Sequence, residues 1–125
     1  MADSCIILYD KTRRDSFEEC KNYFIPTIKE LCTSNIKGIL IGNKLDLYER
    51  EQVSTKEGED LANLNNLLFS EISCIENLNV FESFEKLIEA SDKDNISKYE
   101  ENIVLKRENL KKKKMLLNKK KLLKK

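Results

Sequence analysis

The chain has 125 residues, with 23 Lys and Arg against 22 Asp and Glu, four cysteines and no histidine. That length predicts one domain, and no stretch approaches the roughly 18 apolar residues of a membrane span. Cysteines at 5, 20, 32 and 74, with no C-x-x-C pair, argue against a zinc site and read as buried free thiols of a reducing, cytosolic compartment with no secretory leader expected.

The first apolar run, Ser4 to Tyr9, fits a short strand buried in a parallel sheet. Ser16-Phe17-Glu18-Glu19 has the pattern of a capping box. It predicts a helix over 16–33 with Phe17, Cys20, Phe24, Ile28 and Leu31 as its apolar stripe, kinked at Pro26. The run Gly38-Ile39-Leu40-Ile41-Gly42 predicts a second, central strand over 38–42. Ser54-Thr55-Lys56-Glu57 opens a helix over 55–65 with Leu61, Ala62 and Leu64 on one side. A third strand is expected over 67–73. A third helix is expected over 79–91, capped by Asn79 with Glu82 and striped by Phe81, Phe84, Leu87 and Ile88. The order β-α-β-α-β-α indicates an α/β fold, a three-layer parallel sheet with right-handed crossovers, whose ligands bind beyond the carboxyl ends of the strands.

The charge is unevenly placed. Residues 1–91 hold 10 basic and 17 acidic side chains, a net of −7, and residues 92–125 hold 13 and 5, a net of +8. A boundary is therefore expected between a domain at 1–91 and a basic tail at 92–125, helical or disordered. Ile96, Ile103, Leu110 and Leu117 repeat every seven residues, a faint coiled-coil signal. Nine lysines and no acid occupy 111–125, interleaved with Met115, Leu116, Leu117, Leu122 and Leu123. Such a segment reads as a solvated tail. The other reading is a contact for an anionic membrane surface, with nucleic acid a remoter candidate.

Chemistry concentrates where the central strand ends, at Asn43-Lys44-Leu45-Asp46. A carboxylate accepts two parallel hydrogen bonds, and guanine offers two adjacent donors where adenine offers no such pair. The wrong base leaves a charged acceptor unpaired, at a cost of several kcal/mol. Asp46 fits that role. Asn43 can donate to a base acceptor or tie neighbouring loops together, and Lys44 can lay its stem on the base face. The plainer reading is a polar turn after a strand.

These residues occur in company. Ala2 to Asp10, Asp15-Ser16-Phe17 with Asn22, Asn43-Lys44-Leu45-Asp46-Leu47, Arg50 to Ser54 leading to Gly58 and Ala62, and Phe69 to Ile75 with Asn79-Val80 follow one another. In that order and spacing the chain resembles the C-terminal half of a Ras-superfamily small GTPase, most closely the Rab group, from Ala2 to about Ser91. The resemblance implies a truncated P-loop NTPase fold and a guanine nucleotide, GTP or GDP, as ligand. It implies that the backbone N–H groups of Ser73 and Cys74 meet the guanine carbonyl oxygen. Ile75 stands where the family has a lysine packed near the base.

No Gly-x-x-x-x-Gly-Lys-Ser/Thr run occurs in these residues. The family's phosphate loop, switch regions, Asp-x-x-Gly motif and magnesium ligands are likewise missing, so magnesium is implied by the family alone. With no cysteine after Cys74, no prenylated anchor is expected. The strand at 4–9 is then expected as an apolar sheet edge open to a protein partner. Two functions stay open. One is a Rab-like GTP-binding protein, a membrane-traffic switch by resemblance, reading the base without catalysing hydrolysis. The other is a non-catalytic interaction module whose polybasic tail meets a partner or an anionic surface, cytoplasmic or peripheral to a membrane.

Overall fold

The computed structural model describes residues 4–32 and 36–123, and all their side chains except those of 94–103 and 120–122. Three strands, β1 (Ser4–Asp10), β2 (Lys37–Asn43) and β3 (Leu68–Glu71), form one parallel sheet in the order β1-β2-β3. The expected run 38–42 is its centre. Ile39, Leu40 and Ile41 are fully buried because helices cover both faces of the strand. Register places Asp10 opposite Asn43 and Gly42 opposite Glu71, so four functional-end residues finish at one rim.

One face of the sheet packs Ile7, Tyr9 and Leu40 against Phe17, Cys20, Ile25, Val53, Leu61 and Ala62. The other packs Ile39, Ile41 and Ile72 against Leu87, with Leu68 and Val80 partly buried beside them. Each fully buried aliphatic side chain contributes about 1.5–3 kcal/mol over its exposed state. The second face is only partly closed: Ile6 and Leu8 on edge strand β1 are about half exposed.

The first helical segment departs from the expected one in an instructive way. It starts at Arg14, not Ser16, as α1 (Arg14–Glu19), passes through a π-helical turn at Cys20–Phe24, and continues as α2 (Ile25–Leu31). Ser16 does not cap it. Its hydroxyl instead accepts from the Asp10 N–H at 3.0 Å and reaches the Arg13 carbonyl at 2.7 Å. Pro26 causes no break. In the π turn, the Ile25 N–H donates five residues back to the Cys20 carbonyl, so the hydrogen-bond ladder changes register just before the residue that lacks a donor. The extra residue also rotates the stripe. After Cys20 the buried position is Ile25, while Phe24 and Leu31 are exposed.

Ser54 caps α3 (Thr55–Leu64) as the sequence requires. Its hydroxyl accepts from the Glu57 N–H at 3.2 Å, and the Glu57 carboxylate accepts from the Ser54 N–H at 3.0 Å. Gly58, Leu61 and Ala62 face the core, and Leu64 does not. Asn66, at φ 55°, turns the chain out of the helix and into β3, a left-handed position that asparagine tolerates. The third strand is shorter than expected, ending at Glu71.

The last helix, α4, runs from Val80 to Leu122. Its buried positions near the start are Ser83 and Leu87, with Val80 partly buried, whereas Phe81, Phe84 and Ile88 are exposed. Leu87 is buried as expected, but Ser83 rather than Phe81, Phe84 or Ile88 shares its buried face. Small Ser83 sits on the sheet, where Ser70 Oγ lies 2.6 Å from its hydroxyl. Asn79 does not use its side chain to cap α4: its amide donates to the Glu71 carbonyl at 3.1 Å. The chain divides into two units, Met1–Ser91 and Asp92–Lys125. The second has helical backbone up to Leu122. Leu110 and Leu117 of the seven-residue repeat are exposed, and the side chains of Ile96 and Ile103 lie outside the described set. Ala2, Asp3, Lys124 and Lys125 also lie outside the described residues.

Candidate functional site

The carboxyl ends of the three strands carry three loops that are bonded into one rim. Asn43 ends β2. Lys44 follows in the left-handed region (φ 66°), and Leu45–Arg50 form a 3₁₀ turn holding Asp46. A left-handed lysine is a strained backbone, the kind of cost tolerated where a loop's shape is used. The Asn43 side-chain oxygen holds the bend by accepting the Lys44 N–H at 2.8 Å. The loop after β3 folds back on itself: Ser73 and Leu78 form an antiparallel bridge, and Asn77 and Asn79 both have positive φ.

Between these two loops run three bonds. The Leu45 N–H donates to the Ile72 carbonyl at 3.0 Å. The buried Ser73 hydroxyl donates to Asp46 Oδ1 at 2.7 Å and accepts the Glu76 N–H at 3.2 Å. The Cys74 N–H reaches Asn43 Oδ1 at 3.4 Å. The structure thus brings Asn43, Asp46, Ser73 and Cys74 together. Of the two roles open to Asn43, its side-chain oxygen takes the loop-tying one. Ser73 spends its own N–H on the Leu78 carbonyl at 3.1 Å. Ile75 stands at the loop tip, almost wholly exposed and outside the bonded set.

Lys44 is held from a side the sequence did not announce. Its ammonium lies 2.7 Å from Asp10 Oδ2, at the end of β1. The other Asp10 oxygen accepts the Thr12 N–H at 2.8 Å and the Thr12 hydroxyl at 2.7 Å. Burial raises the Asp10 pKa, but the Lys44 and Thr12 hydrogen bonds outweigh it and hold the carboxyl below the usual aspartate value. The signal for Asp10 was its place: one charged residue closing an apolar strand in register with Asn43.

A second ion cluster underlies the rim. Lys11, almost fully buried, places its ammonium 2.6 Å from both Glu51 Oε1 and Glu71 Oε1. Burial would lower its pKa, and the two carboxylates more than reverse that. Lys11, Lys44, Leu45, Leu47, Tyr48, Glu51 and Thr55 line a cavity of about 130 Å³ beside the loop.

The rim presents an acceptor carboxylate oriented by a hydroxyl, a long aliphatic stem tethered at its end, and the Cys74 backbone donor on the neighbouring loop. Among the described residues no cluster of three or more acidic, His or Cys side chains could hold a metal ion. The cysteines are free, and only Cys20 is fully buried, while Cys74 is exposed on the site loop rather than packed on an apolar face. No helix among the described residues is long and apolar enough to cross a membrane.

Residues 1–93 match the Ras family model. The chain is 41% identical over 97 residues to Ras-related protein Rab-2B of Dictyostelium discoideum, covering 78% of this chain and 46% of that one. It is 35% identical over 101 residues to Ras-related protein Rab-1 of Theileria parva, 81% and 46% of the two chains. To Ras-related protein Rab-17 of Mus musculus it is 36% identical over 83 residues, 66% and 39%. The chain spans about half the length of the curated relatives it matches.

Proposed function

This chain belongs to the Ras family of small GTPases, and from that premise we propose that its rim reads the guanine base of GDP or GTP, while these residues neither grip the phosphates nor hydrolyse them. The observation that carries the reading is the Ser73–Asp46 bond. It fixes the carboxylate through Oδ1, and among the described residues Oδ2 carries no hydrogen bond. A fixed carboxylate can meet the ring N–H and amine of guanine as neighbouring donors. Lys44, its ammonium on Asp10, presents its stem as a face for the base. The Cys74 N–H is held only by a long 3.4 Å bond and can exchange it for the base carbonyl oxygen. Ser73 contributes its hydroxyl more than its N–H, which is engaged with Leu78. Ile75 supplies at most an apolar rim.

In family members the nucleotide comes with magnesium, whose chemistry is charge neutralisation on the phosphates. Among the described residues no group of three or more His, Cys, Asp or Glu side chains could hold that ion. A base-only contact is worth on the order of −4 kcal/mol, a millimolar dissociation constant.

Saturation-transfer NMR on the full chain with GDP, ADP and XDP tests the reading. GDP should be preferred over ADP. Asp46→Asn should weaken GDP at least about tenfold, since a charged hydrogen bond is worth roughly 1.5–3 kcal/mol. Equal signals from GDP and ADP, unchanged by the substitution, would reduce the motif to a polar turn.

A second reading has its own observation. The described lysines Lys111 to Lys114 and Lys119 are all exposed on the helical backbone of the second unit, together with Met115, Leu116 and Leu117. They suit an anionic membrane surface, which would make the protein peripheral to a membrane. In the same reading a protein partner covers the half-exposed edge at Ile6 and Leu8.

A further inference from the structure

We propose that Lys11 is a positioning residue for base recognition: its ammonium clamps the loop carrying Asp46 to the loop carrying Ser73, a role that rests on the guanine-reading assignment above. Three connections place it there. Its N–H donates to the Asn43 carbonyl at 3.1 Å, and its carbonyl accepts the Gln52 and Val53 N–H groups at 2.8 and 3.2 Å, so its backbone brackets the whole 43–53 loop. Its ammonium then bonds Glu51 from that loop and Glu71 from the end of β3, each at 2.6 Å, one residue before the segment that turns into Ser73. Thr55 completes the cluster, donating to the second Glu71 oxygen at 3.1 Å and standing 3.4 Å from the ammonium.

The arrangement is more demanding than packing requires. A lysine with 4% side-chain exposure loses most of its hydration, and the two carboxylates, with a long bond to the Thr55 hydroxyl, compensate it. An apolar residue could fill the same space without that desolvation. What the cation supplies instead is directional attachment to two segments at once, the far end of the 43–53 loop and the last residue of β3, from which the Ser73 loop departs. The bonds that define the site, Leu45 N–H to Ile72 carbonyl and Ser73 hydroxyl to Asp46, span the same two loops. A base reader needs its acceptor and donors held to within about 0.5 Å, which supporting contacts of this kind provide.

The test is amide hydrogen exchange on the full chain, with nucleotide selectivity as a second readout. Lys11→Met keeps the stem and removes the charge. Glu51→Gln, at a side chain 36% exposed, weakens one arm without endangering the fold. In both variants the Leu45 and Gln52 amides should exchange faster, by about tenfold in Lys11→Met, while the Leu40 and Ile41 amides of β2 keep their protection. Lys11→Arg should restore the slow exchange. The GDP-over-ADP preference should fall about threefold or more in Lys11→Met. Unchanged Leu45 and Gln52 exchange in both variants would overturn the proposal. So would an equal loss of protection across β2, which marks general destabilisation. Because exchange is measured without ligand, it separates this proposal from the guanine reading: a wild-type chain indifferent to base, yet loosened at Leu45 by Lys11→Met, would sink the selectivity role and leave only a structural clamp.

Discussion

Gly58 offers a case in which two effects of known size oppose each other. It sits in α3, where alanine has about 1 kcal/mol of intrinsic advantage over glycine. Secondary-structure preference alone therefore predicts that Gly58→Ala stabilises. The surroundings predict the reverse. A methyl there would lie 2.6 Å from Phe69 Cε2 and 2.7 Å from its Cζ, and closer still to the Tyr9 hydroxyl. These atoms belong to rigid rings. Tyr9 is 2% exposed and locked edge-on against Phe17, with ring centres 5.1 Å apart, and partly buried Phe69 packs against the same core, so Tyr9 cannot yield without moving it. Overpacking of this kind costs about 1–3 kcal/mol, and contacts this short belong at the upper end, leaving a net loss of about 2 kcal/mol. In urea that lowers the unfolding midpoint by roughly 1 M. A Tyr9→Phe background removes the closest contact and a buried hydroxyl that has no hydrogen-bond partner among the described residues, so the same substitution should cost less there. Glu59→Ala, on the exposed side of α3, controls for helix propensity. A Gly58→Ala protein as stable as the original would refute the packing of Tyr9 and Phe69 described above.

Asp10 should make stability depend on acid. Its carboxyl is held below its unfolded value of about 3.9, so its contribution is complete above that pH and lost as pH falls through the lower folded value; Asp10→Asn should flatten urea midpoints measured below about pH 4. Thiol alkylation followed by intact-mass analysis should label exposed Cys74 first. Cys20, buried and with its thiol pushed up to about 11 by burial and by Glu19, should stay unlabelled at pH 8 until the chain is denatured.

The legible part of the chain was the part governed by backbone periodicity and local bonding. Ile39 to Ile41 had to be central because no polar side chain interrupts them, and the Ser54–Glu57 box acted as its spacing requires. What failed depended on register. The π turn ahead of Pro26 moved the buried position from Phe24 to Ile25, and a sequence stripe has no way to count that extra residue. The Ser16 box lost to a tertiary contact, because the Asp10 N–H at the strand end claimed its hydroxyl. At the site, Asn43, Lys44, Asp46, Ser73 and Cys74 were nameable from their order. The ionic partners Lys11, Glu51 and Glu71 were not, since pairs formed between residues so far apart in the chain leave no local pattern, and Asp10 offered only its place at a strand end.

That difference bears on how such a rim works. The residues proposed to face a base are local, polar and cheap to place at a strand end. Keeping them in position needs contacts between loops that are distant in sequence. Here those contacts are ionic and partly or wholly buried: Asp10 holds Lys44, and Lys11 holds the ends of both loops. Preorganisation of this kind lowers the ordering cost of binding, and it cannot replace the contacts that a phosphate would add. The expected outcome is a site whose selectivity between bases exceeds what its affinity would suggest. In the base reading proposed above, selectivity would come from the unpaired-acceptor penalty at Asp46, which is independent of how many phosphates are held. Affinity is bounded by the small area of one base.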